Sequence, residues 1–417
     1  MHNAPSSVKG TTMQYYLAPM EGITTYIYRN AHARYFGGID KYFTPFISDK
    51  NFVTNKDFIS DKGFISDTDS VTVKKSGKSL NPKELRDILP ENNTGITLVP
   101  QVLTNSAVRF LAVAKELSSY GYDTVNLNLG CPSGTVTAKK RGAGFLSVPD
   151  ELDAFLCEIY EKCPMKISIK TRLGVSDLSE WNRLLDVYAK YPIHELIIHT
   201  RLLKEFYTGT THPEAYAEAV NRLPIGDTVK ITEEYASDIH ELCKEPYDSR
   251  DHLPRIPLCY NGDIVSLKSL EDAMTAVNAS LSLLQNTESP VTADRVMIGR
   301  GIIRNPALAV QLREARSDTA CISDTRVVSP TGSIVNRTAV SKEDWRAFHD
   351  EILDGYIKIM SGDSPVLFKM KDLWTYMSQS FSNSEKYLKK IRKANRITDY
   401  VSAVDGLFRE QEILACV

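Results

Sequence analysis

Eight short β-rich runs, each followed by a helical or polar stretch, recur between Tyr15 and Ile298, and this alternation limits the fold more than any other feature. The runs are Tyr15–Ala18, Lys41–Thr44, Thr97–Val102, Thr124–Leu129, Lys166–Thr171, Leu196–His199, Pro257–Tyr260 and Arg295–Ile298. Several are almost continuously apolar, as strands covered on both faces must be, which argues for a parallel sheet sheathed by helices. Eight β-α units over roughly 300 residues suit an α/β fold closed as a (β/α)8 TIM barrel. An open doubly wound sheet is the alternative, and eight units favour closure.

Polar or reactive residues fall at the ends of these runs. Pro19-Met20-Glu21-Gly22 follows the first, Gln101 closes the third, and Asn128-Leu129-Gly130-Cys131 closes the fourth. Lys170 and Arg172 end the fifth, His199 and Arg201 follow the sixth, Asn261-Gly262-Asp263 the seventh, and Gly299-Arg300-Gly301 the eighth. In a closed parallel barrel the carboxyl ends share one face, so these groups are expected around one pocket.

Polar insertions interrupt the pattern at Asp49–Asn93, Leu223–Arg255 and Asn278–Thr292. The first contains the near-repeats Asp57–Lys62 and Gly63–Asp67 and reads as an elaborated surface loop or small hairpin. Residues 13–316 are expected to form the barrel and 317–340, rich in Ser, Thr, Asp and Val, a linker. Residues 341–417 read as an all-helical C-terminal domain, opened by a Ser341 cap with Asp344 three residues on and continued by Trp345, Phe348, Ile352 and Tyr356.

Composition removes whole classes. With 42% hydrophobic and 24% charged residues, the 417-residue chain can bury a sizeable core. No run approaches the roughly 18 apolar residues of a bilayer-spanning helix, and Met1–Thr12 carries no apolar signal segment, so a cytoplasmic protein without membrane attachment is expected. Fifty basic against 52 acidic residues leave a net charge of -2, so any nucleic-acid surface must be local. The seven cysteines are odd in number and form no Cys-x-x-Cys, which disfavours a disulfide framework and a zinc cluster, and no metal is expected. A monomer is expected.

Four groups could carry chemistry. Asn126 to Gly144 is a strand running into a glycine-rich loop with Lys139, Lys140 and Arg141; its Cys131 can serve as a proton donor, as a thiolate nucleophile if a base adjoins it, or simply pack beneath a turn. Lys170 would point into the barrel mouth and hold an anionic ring, a carbonyl or a phosphate, while His199 is catalytic or structural. Asn261-Gly262-Asp263 and Gly299-Arg300-Gly301 follow the two strands after which barrels often bind phosphate, so a flavin mononucleotide or sugar phosphate is expected there. Lys386, Lys389, Lys390 and Lys393 recur at three and four spacing, with Arg392 and Arg396 close by, giving a basic helical stripe able to track RNA phosphates.

At these motifs the chain resembles the tRNA-dihydrouridine synthase family. The resemblance runs through Leu17-Ala18-Pro19-Met20-Glu21-Gly22, Pro100-Gln101-Val102, Asn126 to Gly144, Ile169 to Gly174, His199-Thr200-Arg201, Tyr260 to Asp263 and Ile298 to Gly301. It implies a barrel holding FMN, reduced by NADPH, that passes hydride to C6 of a uracil in tRNA, with ribosomal RNA as an alternative substrate. Carried over by motif, Cys131 is the general acid at C5. Pro19, Met20, Gln101, Lys170, His199, Asn261, Gly262, Asp263, Gly299 and Arg300 contact FMN, and Asn128 and Arg172 hold the uracil edge. Lys389, Lys390 and Lys393 would then contact the RNA. The reliance on NADPH comes with the resemblance, since the chain has no Gly-x-Gly-x-x-Gly site. The rivals are a flavin barrel acting on a free small molecule, and a non-catalytic RNA-binding protein.

Overall fold

The computed structural model describes residues 13–48, 52–54, 71–73, 80–223, 256–285, 293–317, 326–328, 334–336 and 340–414. Its main sheet has ten parallel segments. Two of the barrel strands are split by proline, which has no N–H to give a ladder. Strand β1 is Gln14–Leu17; β2 is Lys41–Phe43 resumed as Ile47–Ser48 beyond Pro45; β3 is Leu98–Val99 resumed as Gln101–Leu103 beyond Pro100. Then come β4 (Thr124–Leu129), β5 (Lys166–Arg172), β6 (Glu195–His199), β7 (Leu258–Asn261) and β8 (Arg295–Ile298). Both pieces of β2 pair with the matching pieces of β3, and β8 pairs with β1, so the sheet closes on itself as a TIM barrel.

Strand parity decides what fills the barrel. Successive side chains alternate faces, so Tyr16, Phe43, Val99, Ile197, Cys259 and Met297 form an inner apolar cluster while their neighbours join the outer core under the helices. One step earlier, at the floor, buried Glu195 accepts from the Tyr16 hydroxyl at 2.7 Å and from Lys41 Nζ at 2.9 Å. One step later, the same parity brings Gln101, Asn128, Lys170, His199, Asn261 and Gly299 to the top layer.

Helices sheath the barrel: α1 (Tyr26–Tyr35), α2 (Pro82–Ile88), α3 (Ala107–Ser119), α4 (Pro149–Lys162), α5 (Glu180–Tyr188), α6 (Pro213–Arg222), α7 (Leu267–Gln285), α8 (Arg300–Arg304) and α9 (Leu308–Ser317). The interruption expected from Asn278 does not start there, because α7 continues to Gln285 with Val277 and Leu281 buried; residues 286–292 lie outside the described residues. Within the first insertion Phe52–Thr54 pairs antiparallel with Val71–Val73, and α2 starts at an Asn81–Glu84 capping box. The near-repeats at 57–67 and the second insertion beyond Leu223 lie outside the described residues. In the linker, Arg326–Val328 pairs antiparallel with Ile334–Asn336.

The C-terminal region is four helices: α10 (Lys342–Ile359), α11 (Asp363–Met377), α12 (Glu385–Lys393) and α13 (Ile397–Glu410). Ser341 caps α10 in a capping box with Asp344, and Trp345, Phe348, Ile352 and Tyr356 are all buried. This face packs on α1: Phe348 meets Phe36 edge-on at 5.1 Å and Tyr28 at 5.5 Å, and Trp345 meets Phe36 at 5.9 Å. Close approach requires a glycine. A Cβ on Gly355 would lie 2.6 Å from Ile27 Cγ2. Gly355→Ala is therefore expected to lower stability by about 1–3 kcal/mol, despite alanine's better helix propensity, as read from urea unfolding.

Candidate active site

A cavity of about 450 Å³ opens at the carboxyl ends of the strands. Of the residues read from the sequence as site groups, Pro19, Met20, Gln101, Asn128, Cys131, Lys170, His199, Asn261, Gly262, Asp263, Gly299 and Arg300 all line it. Arg172 does not, and Lys389, Lys390 and Lys393 lie on α12, away from its walls.

The Cys131 loop is held from below by side chains. Asn128 Oδ1 accepts from the backbone N–H groups of Gly130 and Cys131, each at 3.0 Å. Its amide donates to Gln101 Oε1 at 2.7 Å; Gln101 donates to Asn126 Oδ1 at 2.8 Å, and Asn126 to Ser168 Oγ at 2.9 Å. These groups are buried, so each partner removes a desolvation cost of about 1–3 kcal/mol that an orphan would carry. The loop then folds back, with Ala143 N–H donating to the Cys131 carbonyl at 3.0 Å. Gly142 makes this possible: its φ is +54°, and a Cβ there would stand 2.9 Å from that carbonyl oxygen.

Charge in the cavity is mostly positive. Burial, then the Arg172 guanidinium, pulls the Lys170 ammonium down to about 7, while its Nζ donates to Asn261 Oδ1 at 2.7 Å. Burial, together with Lys170, Arg172, Arg201 and Arg300, holds His199 well below the ordinary histidine value, so its imidazole is neutral. Burial alone would raise the Asp263 carboxyl, but the Arg201 fork and Arg300 hold it below its usual range. Burial pushes the Cys131 thiol up against the pull of the Ser133 N–H, Arg172 and Lys170. The described residues thus offer no base that would make Cys131 a thiolate, and the thiol keeps its proton at neutral pH.

Arg172 bridges two loops. Its guanidinium is fully buried and donates to the carbonyls of Gly130, Leu202 and Phe206 at 2.9, 2.9 and 2.8 Å. It ties the Cys131 loop to the loop after β6. That second loop carries Tyr207 into the cavity, its ring stacked on His199 at 6.3 Å with Arg172 and Arg300 at 5.3 and 5.5 Å from its centroid.

The dihydrouridine synthase (Dus) family model matches residues 16–396. This chain belongs to that family. A probable tRNA-dihydrouridine synthase of Staphylococcus aureus (strain Mu50 / ATCC 700699) is 28% identical over 210 residues, 50% of this chain and 51% of that protein. The probable tRNA-dihydrouridine synthase 2 of Bacillus subtilis (strain 168) is 24% identical over 290 residues, 70% of this chain and 69% of the other. The chain thus spans about half the length of the first of these relatives. Among solved structures, a morphinone reductase in complex with tetrahydroNAD aligns at a TM-score of 0.37 with 12% identity, over 72% of this chain and 86% of that one.

Sequence reasoning missed several walls of this dihydrouridine synthase family cavity: Tyr207, Arg304, and Tyr376 and Gln379 from the helical region. Tyr207 stands eight residues after His199 on the same strand-end loop, and Arg304 one helical turn after Arg300; both were within reach of the strand-end rule. No local pattern announces Tyr376 and Gln379, because tertiary packing alone brings α11 to the mouth. The basic stripe does present itself to solvent. Lys386, Lys389, Lys390, Arg392, Lys393 and Arg396 are all exposed, Tyr387 and Ile391 face inward, and among the described residues only Lys386 of the six has an ion pair, with Glu410.

The raised thiol gives a direct test. Alkylation of Cys131, followed on its own peptide by mass spectrometry, is expected to rise with a midpoint above the ordinary thiol value of about 8.5. A midpoint near 7 would mark an activated thiolate and remove the proton-donor role.

Proposed function

We propose that this chain is an FMN-dependent tRNA-dihydrouridine synthase, reducing the C5=C6 bond of specific uridines in tRNA with NADPH as reductant. The observation that carries the reading is convergence. Cys131, Lys170, His199, Asn261 and Arg300, from five strand ends, line one cavity in a chain of the dihydrouridine synthase family.

The residues present suit a flavin. The top layer combines an amine, a neutral imidazole and the side-chain amides of Gln101 and Asn261, the mixture of donors and acceptors that a heteroaromatic ring edge needs. At the eighth strand end Gly299 presents bare backbone next to Arg300, leaving room for a phosphate within reach of a guanidinium. Lys170, Gln101, His199 and Asn261 would hold the ring, and Gly262, Gly299 and Arg300 the phosphate, with Asp263 setting the Arg300 fork and Pro19 and Met20 closing one side. A bound flavin supplies the hydride for C6 of the uracil.

The chain's own part is the proton. Hydride addition builds negative charge across the C4 carbonyl and C5, and a thiol that keeps its proton at Sγ can relieve it at C5 without a dedicated base. Asn128 and Arg172 hold the loop that carries this thiol, so they serve as positioning residues. Lys170, pulled down to about 7 by burial and Arg172, takes up a proton wherever an anion binds against it. A uracil in folded RNA reaches the cavity only when turned out of its stack, and an affinity source beyond the mouth must offset that cost. The exposed lysines of α12 supply it, which is how a chain of net charge -2 binds a polyanion.

Two outcomes check the reading. Cys131→Ala is expected to remain yellow and to form dihydrouridine about 10²–10⁴-fold more slowly, measured by mass spectrometry of digested tRNA; wild-type product formation would remove the general acid. Charge reversal at Lys389, Lys390 and Lys393 is expected to weaken tRNA binding without releasing flavin. The slope of log affinity against log salt should fall by about 0.7–0.9 for each phosphate that the variant no longer neutralises.

A further inference from the structure

Three polar side chains at the rim of the cavity keep donors unspent among the described residues. Arg304 ends α8 and lines the cavity. Among the described residues its guanidinium makes no hydrogen bond or ion pair, and its Nε is buried without a partner. Tyr376 and Gln379 line the same cavity from the end of α11 and the turn after it. Among the described residues the Tyr376 hydroxyl is unbonded, and Gln379 spends one amide hydrogen on the Thr375 carbonyl at 3.3 Å. Barrel and helices are fastened at this point, since Ser380 Oγ donates to the Arg304 carbonyl at 2.8 Å.

The chemistry missing from this corner is an acceptor. The cavity is lined by two carboxylates, and both are engaged: Asp263 by Arg201 and Arg300, and Glu21 by Lys83 at 3.1 Å. A guanidinium with a desolvated Nε and no anion is costly to hold, and its planar fork matches a phosphate or carboxylate. The tyrosine hydroxyl and glutamine amide add two more donors.

We propose that Arg304, Tyr376 and Gln379 form a phosphate subsite that grips the RNA backbone beside the target uridine. This rests on the tRNA reading above and extends it to a specific contact. The phosphate of a bound flavin shares the chemistry, but that reading already gives it Arg300, Gly262 and Gly299. Two of the three new donors come from the helical region, which a barrel would not need to hold its own cofactor. A backbone phosphate fixed at the rim holds the turned-out nucleotide at the mouth, so the subsite acts on binding of the substrate.

The test uses the full-length, flavin-loaded protein and tRNA from cells lacking it. Arg304→Ala is expected to keep its flavin absorbance, to raise the KM for tRNA about tenfold, and to lower the salt slope of binding by about 0.7–0.9, the signature of one phosphate left without its cation. Arg304→Lys should recover part of the affinity, because it keeps the charge and loses the fork. Tyr376→Phe and Gln379→Ala should each weaken binding less, and they carry the test should Arg304→Ala fail to fold. Release of flavin from Arg304→Ala with tRNA binding intact would assign the guanidinium to the flavin phosphate and overturn the subsite. A wild type that makes dihydrouridine beside variants indistinguishable from it in KM and salt slope overturns the subsite alone; a wild type that makes none removes the reading beneath it as well.

Discussion

A side chain aimed into a closed barrel meets no bulk water, so each polar group on an inner layer must find its partner on a neighbouring strand. Everything at the carboxyl face of this barrel follows from that constraint. Asn126, Ser168 and Gln101 sit where water cannot reach them, and they answer one another across three strands. Asn128 stands at the top of that chain and turns the surplus outward, using its carbonyl oxygen to hold two backbone N–H groups of the Cys131 loop. The Cys131 thiol is thus placed by the same hydrogen bonds that make a polar barrel interior tolerable.

The electrostatics of the cavity are dominated by cations. Lys170, Arg172, Arg201 and Arg300 surround a neutral His199, and within that group Asp263 is the one carboxylate drawn into the network, bound to two of the arginines. Burial without a counter-charge explains why an amine near Asn261 sits about 7 and an imidazole far below its usual value. The same burial acts in the opposite direction on the Cys131 thiol and keeps it protonated. One physical cause therefore lowers the amine and the imidazole and raises the thiol.

Much of this is legible in the sequence because strand parity and strand ends are local signals. Lys170, His199 and Asn261 each stand two residues beyond an inward-facing residue of the same strand, and that spacing alone predicts a shared layer. What escapes is tertiary. Arg172 follows the same parity as Lys170, yet three backbone carbonyls from two loops claim it, and no spacing rule reports where loops fold back. Pro45 and Pro100 split β2 and β3, an effect readable from proline chemistry, whereas the contribution of α11 to the mouth depends on contacts between residues more than 300 apart, such as Lys369 with the Gly22 carbonyl at 3.0 Å. The run from Asn278 reads as an interruption because its polar composition outweighs the buried positions that extend α7 to Gln285.

The aromatic seam between α1 and α10 has a consequence for recognition. Phe36, Phe348 and Trp345 interlock edge to face, Gly355 lets the two helices touch, and Lys369 donates to the Gly22 carbonyl at 3.0 Å beside the first strand end. Such a joint, closely packed, has little room to slide, which would hold the spacing between the basic helix and the Cys131 thiol nearly constant. On the proposed activity, selection of a uridine becomes a matter of surveying: the protein acts as a caliper that measures off a span of folded RNA from a phosphate landmark, and whichever base stands at the far jaw is the one reduced.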